Sequence, residues 1–310
     1  MLRPDDIHQG VGFRRVTMEA VNPSPNGKKL AHPAQFAPRI FADTATLADI
    51  RPLKEGGIIN GVTTNPSLMK RAGAKSWDGA LKIMQEIVDY MAPGPVSLEL
   101  TELQPEKMLE QAKRLAGMGE NVVVKVPTGG YQAIDKSLDA FTGLKVMREL
   151  WKNDIKVNAT LIFNSTQALW AANAGASYVS PFLGRLADYL YKHDQPEREP
   201  GNALHFLEDH KAPDGGRDIT ANTAYVANDG FRKDSGVRLI NEIVAVFNNY
   251  RITTEVLAAS FRNASQMAEC LLAGADILTV PAPILMGVAD HPLTHEGMKS
   301  FVDDAKVFEK

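Results

Sequence analysis

The chain has 310 residues, 44% hydrophobic and 23% charged, which is globular and rich enough for a sizeable core. A net charge of −3 excludes the basic footprint of a nucleic-acid binder, and no apolar run reaches the roughly 18 residues of a membrane span. The single cysteine, Cys270, excludes an internal disulfide; in its apolar helical stretch it reads as a small buried hydrophobe.

The first residues carry acids and no apolar segment of signal-peptide length, so a soluble cytoplasmic protein is expected. Residues 1–38 read as an N-terminal extension. Within it, Val21 to Pro38 is rich in proline with Asn, Ser, Gly and Lys, the composition of an arm that drapes over the surface or docks on a neighbouring subunit.

From Arg39 onward, short β-rich runs alternate with segments whose apolar residues recur at helical spacing. The runs centre on Ile40 to Ala42, Ile58 to Val62, Val96 to Leu100, Val122 to Val126, Val157 to Phe163, Tyr178 to Ser180, Thr254 to Ala258 and Ile277 to Val280. Two of the helical stripes are Leu81, Met84, Ile87, Val88, Met91 and Val237, Ile240, Ile243, Val244, Phe247. No G-x-G-x-x-G or P-loop follows any run, which disfavours a nucleotide-binding open sheet. The expected fold is α/β: a single (β/α)8 TIM barrel over residues 39–310, with a segment of about 191–234 inserted after the sixth strand.

In such a barrel, polar residues at the C-terminal strand ends converge on one site. In chain order these are Asp43, Asn65, Glu99, Lys125, Asn158 with Thr160, Ser180 with Arg185, and Ser260 with Arg262. Lys125 stands out, because it interrupts the run Val122-Val123-Val124-Lys125-Val126. Burial favours the neutral amine, and a neutral amine attacks carbonyls to form Schiff bases. A lysine at a strand end can instead snorkel to solvent or pair with a carboxylate. The co-location of carboxylates beside this amine, with two arginines and two serines suited to a phosphate dianion, points to a Schiff-base enzyme for phosphorylated carbonyl compounds.

The same residues resemble the transaldolase family. The resemblance is carried by Phe41-Ala42-Asp43-Thr44-Ala45, Gly61-Val62-Thr63-Thr64-Asn65-Pro66-Ser67-Leu68, Val124-Lys125-Val126-Pro127 and Asn158-Ala159-Thr160-Leu161-Ile162-Phe163. Gln167-Ala168, Ala174-Gly175-Ala176, Tyr178 through Arg185, Ala259-Ser260-Phe261-Arg262-Asn263 and His291-Pro292-Leu293-Thr294 continue it to the C-terminus. It implies Lys125 as Schiff-base nucleophile, Asp43 as base, and Glu99 with Thr160 as water and proton handlers. Asn65, Asn158 and Ser180 would hold the three-carbon unit, with Phe182 nearby; Arg185, Ser260 and Arg262 would hold the phosphate. It implies sugar phosphate substrates, a homo-oligomer, and neither metal nor organic cofactor.

The related fructose-6-phosphate aldolase branch resembles this pattern except for a glutamine where Glu99 stands and a tyrosine where Phe182 stands. Both positions therefore favour transaldolase. A non-catalytic sugar-phosphate-binding barrel would need a lost catalytic group, and none is lost. Two added stretches remain. Thr128-Gly129-Gly130-Tyr131 opens one directly after the lysine run, overhanging the active-site face. The 191–234 insertion contains His193, His205 and His210, which lack a paired metal-ligand spacing and so read as a solvated loop or short helix rather than a metal site; because the insertion follows the phosphate-binding strand, a lid or a subunit contact is the sharper expectation.

Overall fold

A computed structural model describes residues 37–193 and 234–308. The expected extension and the expected insertion, with His205 and His210, fall outside these residues except at their edges. Eight strands, β1 (Arg39–Asp43), β2 (Gly61–Thr63), β3 (Val96–Glu99), β4 (Val122–Pro127), β5 (Val157–Ile162), β6 (Tyr178–Pro181), β7 (Glu255–Ala259) and β8 (Ile277–Val280), pair in parallel in chain order. β8 closes on β1, with Phe41 opposite Thr279. This is the expected (β/α)8 barrel.

The strands follow from period-two alternation between a helix-facing and an axial surface. In β4, Val122, Val124 and Val126 join the core shared with the helices, whereas Val123 joins an axial cluster with Phe41, Tyr178, Leu257, Ala259 and Ile277. Phe41 meets Tyr178 edge-on at 6.4 Å. The Phe41 ring fits because Gly61 lies opposite it; a Cβ there would come within 2.7 Å of the ring and of the Pro95 carbonyl. Arg39 closes the lower end, its guanidinium 5.7 Å from both ring centroids and 2.5 Å from Glu255 Oε2.

The helices bury the stripes read from sequence. In Trp77–Met91, Ser76 Oγ caps the first turn by accepting from Gly79 N, and Met84, Ile87, Val88 and Met91 are buried. Helix Ser235–Asn249 buries Val237, Ile240, Ile243 and Phe247. Cys270 is fully buried.

One strand differs from the reading. β2 covers Gly61–Thr63 rather than Ile58 to Val62, and Ile58 is 47% exposed. Gly57 adopts a positive φ of 69° behind helix Leu47–Glu55, and Ile58 N–H then donates to Leu53 O, so Ile58 belongs to the helix terminus. Among the described residues no helix is long and apolar enough to cross a membrane.

Candidate active site

Register brings the central trio together. Glu99, Lys125 and Asn158 are direct partners across β3, β4 and β5, so their side chains enter the barrel at one level. Lys125 is 4% exposed. Its Nζ lies 3.0 Å from Glu99 Oε2, donates to Thr64 O at 3.3 Å and sits 5.7 Å from the Phe182 ring centroid. Snorkelling is therefore excluded. The lysine does pair with a carboxylate, at a distance over which a proton can pass directly.

Asp43 stands at the end of β1, level with Thr63. Thr63 Oγ1 donates to Asp43 Oδ1 at 2.8 Å, and Thr279 Oγ1 lies 2.5 Å from Thr63 Oγ1. Since the single Thr63 proton goes to the carboxylate, Thr279 must donate to Thr63. Burial pushes the Asp43 carboxyl above the usual aspartate value of 3.8, against the opposing pull of Lys125, the Thr63 hydrogen bond and Arg71. Such a carboxylate is a stronger base than an exposed one.

Beside Lys125, Ser180 Oγ donates to Asn158 Oδ1 at 2.6 Å, and Asn158 Nδ2 donates to Ser97 Oγ at 3.1 Å. This chain across three strands fixes the Asn158 amide orientation. Thr160 is fully buried, and among the described residues its Oγ1 has no hydrogen-bond partner. The added stretch after β4 packs down: Tyr131 is buried, its hydroxyl donates to Pro127 O at 3.1 Å, and burial, followed by the charge of Glu99, raises its pKa.

The opposite end is built by β6 and β7. Helix Leu183–His193 starts directly after β6, and Gly184 lets it approach β7, since a Cβ there would fall 1.9 Å from Ser260 O. Ser260 takes a positive φ of 72°, and Leu161 in β5 one of 58°, conformations uncommon outside glycine that concentrate at functional sites. Arg262 Nη1 donates to Ser260 O at 3.0 Å and to Ser260 Oγ at 3.2 Å, and Arg262 Nε donates to Asp188 Oδ2 at 2.8 Å. Arg185 lies 5.1 Å from the Phe182 ring centroid, so Lys125 and Arg185 share that ring as a neighbour.

A cavity of about 490 Å³ joins these groups. It is lined by Asp43, Asn65, Glu99, Lys125, Ser180, Phe182, Arg185, Ser260 and Arg262, all expected from the sequence. Asn158 and Thr160 are fully buried and are not among its lining residues. The sequence reading missed Thr63, Thr279 and Arg71, which also line it, and Asp188. Thr63 and Thr279 carried a signal, each falling two residues after an inward position of its strand. For Arg71, four residues after Ser67 on helix Pro66–Arg71, nothing local marked the face that turns to the cavity.

The family profile described as Transaldolase/Fructose-6-phosphate aldolase matches residues 40–310. A probable transaldolase of Chlorobium phaeobacteroides (strain BS1) is 36% identical over 278 residues, covering 88% of this chain and 99% of that protein. A probable transaldolase of Clostridium tetani (strain Massachusetts / E88) is 34% identical over 272 residues, covering 88% and 100%. One of Thermoplasma volcanium is 34% identical over 270 residues, covering 86% and 95%.

Proposed function

The chain belongs to the transaldolase/fructose-6-phosphate aldolase family, and from that premise we propose that it is a transaldolase acting through a Schiff base on Lys125. The observation that carries this reading is the buried Lys125–Glu99 pair at 3.0 Å, in one cavity with Asp43 and with Arg185, Ser260 and Arg262.

Transfer of the ammonium proton to Glu99 frees the amine to attack the ketone carbon of a ketose phosphate, either sedoheptulose 7-phosphate or fructose 6-phosphate. Glu99 then returns a proton to the carbinolamine hydroxyl, which leaves as water; Thr160 orients that water. Asp43 removes the proton from the hydroxyl next to the scissile bond. The carbon–carbon bond breaks, its electron pair moves into the iminium, and an aldose phosphate departs from a dihydroxyacetone enamine on Lys125. Attack of the enamine on a second aldose phosphate, glyceraldehyde 3-phosphate or erythrose 4-phosphate, reverses these steps, with Asp43 giving its proton to the new alkoxide.

Asn65, Asn158 and Ser180 bind the three-carbon unit in this reading, with Asn158 acting through the Ser180 hydroxyl that it orients. Arg185, Ser260 and Arg262 take the phosphate, and the iminium serves as electron sink without a metal. The carboxylate of Glu99 and the hydroxyl-free Phe182 support transfer over release of free dihydroxyacetone. We place the enzyme in the pentose phosphate pathway of the cytoplasm, as a homo-oligomer. Helix Pro292–Ala305, which buries none of its residues and exposes Leu293, Met298, Phe301 and Val302, supports assembly.

The test is glyceraldehyde 3-phosphate production from fructose 6-phosphate, with and without erythrose 4-phosphate. Product that needs the acceptor, with borohydride trapping on Lys125, supports transaldolase. Product formed equally without acceptor would make the enzyme an aldolase. Failure to trap a ketose phosphate would favour the non-catalytic barrel.

A further inference from the structure

We propose that Asp188 is a positioning residue for phosphate recognition, aiming the guanidinium of Arg262 into the cavity. The inference rests on the reading of Arg185, Ser260 and Arg262 as the phosphate end of the site.

The root of Arg262 is fixed independently of Asp188. Phe261 is buried, and Arg262 N–H donates to Gln266 Oε1 at 2.9 Å. Gln266 Nε2 in turn donates to Asp234 Oδ2 at 2.8 Å. What this backbone anchoring leaves undetermined is the long side chain, which has many rotamers.

Two groups settle its direction. Ser260 receives Nη1 through its carbonyl and its hydroxyl, and Asp188 Oδ2 receives Nε–H at 2.8 Å. Among the described residues these bonds use Nε and Nη1 and none uses Nη2, so the guanidinium plane is fixed while Nη2 is left to donate to an anion in the cavity that Arg262 lines. Asp188 stands three residues after Arg185 on helix Leu183–His193, so one helix carries an arginine of the site and orients the other.

A stabilising role does not account for the pair. Arg262 and Asp188 are 38% and 48% exposed, and solvent-exposed ion pairs contribute little to stability. Pre-ordering a guanidinium before its anion arrives removes ordering cost from binding.

The measurement is titration calorimetry with inorganic phosphate, alongside steady-state kinetics with fructose 6-phosphate, for the wild type, Asp188→Asn, Asp188→Ala, Arg262→Ala and the Asp188→Ala/Arg262→Ala double variant. Asp188→Ala is expected to weaken phosphate binding and raise KM about tenfold, or about 1.4 kcal/mol, with kcat within about twofold. Asp188→Asn retains an oxygen acceptor for Nε–H and should lose less. In the Arg262→Ala background, Asp188→Ala should add nothing.

Unchanged phosphate affinity in Asp188→Ala would overturn the inference. So would tighter binding, which would make Asp188 a competitor for Arg262, or an equal loss in the Arg262→Ala background. The chemistry is tested separately by borohydride trapping of unphosphorylated fructose on Lys125. Trapping together with unaltered phosphate affinity in Asp188→Ala removes the Asp188 inference alone. Absence of trapping, with phosphate binding that depends on Asp188, removes the Schiff-base reading and keeps this one.

Discussion

The same strands line two tiers of the barrel interior with opposite chemistry. Phe41 lies below Asp43, Gly61 below Thr63, Val123 below Lys125, Tyr178 below Ser180 and Ile277 below Thr279. The lower tier is apolar and aromatic, closed by Arg39. The upper tier holds two carboxylates, an amine and several hydroxyls within one cavity. Asp43, Thr63, Lys125, Ser180 and Thr279 each stand two residues beyond a lower-tier residue of the same strand, so an interlocked lower layer fixes the backbone that aims them; under Glu99 that place is taken by the buried Ser97, opposite Val123. The upper groups lose hydration on burial and recover it through neighbouring strands, as in Lys125–Glu99 and Asp43–Thr63–Thr279.

The two tiers differ most in consequence at Lys125. Lys125→Ala should reduce kcat by at least about 10⁴-fold, since the covalent route is lost, as steady-state transfer assays would show. In the lower tier, Phe41→Ala should cost about 3–5 kcal/mol in denaturant unfolding by opening a cavity under β1 and β6. It should change kcat little at temperatures where the variant is folded; a loss as deep as that of Lys125→Ala would show that the tiers are not separable.

Asp43→Asn sits at the boundary, because it removes a base and also a buried charge. It should lower kcat by roughly 10²–10⁴-fold. Its effect on stability has the opposite sign. The folded pKa of Asp43 is raised, so its favourable contribution is fully present below the unfolded value and lost as pH rises through the folded value. Asp43→Asn should therefore be more stable than the wild type at neutral pH, with a smaller decline between acid and neutral conditions in pH-dependent melting.

The smallest expected effect is at Arg71. Its charge lowers the Asp43 pKa against the burial that raises it. Arg71→Gln should therefore move the acidic limb of the kcat/KM profile to higher pH, and a limb that stays in place would remove Arg71 from the electrostatics of the upper tier.

Much of this was legible without coordinates. Short β-rich runs separated by helically periodic segments reveal eight strands, and Lys125 stands out as a charge inside a valine run. Nine of the eleven expected site residues line the cavity. Asn158 and Thr160 fall on the expected strand, yet both are fully buried and outside the cavity lining, because depth along a tilted strand depends on its neighbours' register. Ile58 misled because an apolar pair after two glycines has the same pattern whether it extends a strand or closes a helix.

Architecture and chemical inventory are readable from the chain, since apolar periodicity and side-chain type are local properties written residue by residue. Tertiary structure alone decided the pairings: Thr63 with Thr279, Arg262 with Asp188, and Lys125 level with Glu99. Those contacts follow from closure of β8 on β1 and from the interstrand hydrogen-bond register. Residues 74 or 216 positions apart become neighbours only when the whole barrel fixes tilt and stagger together.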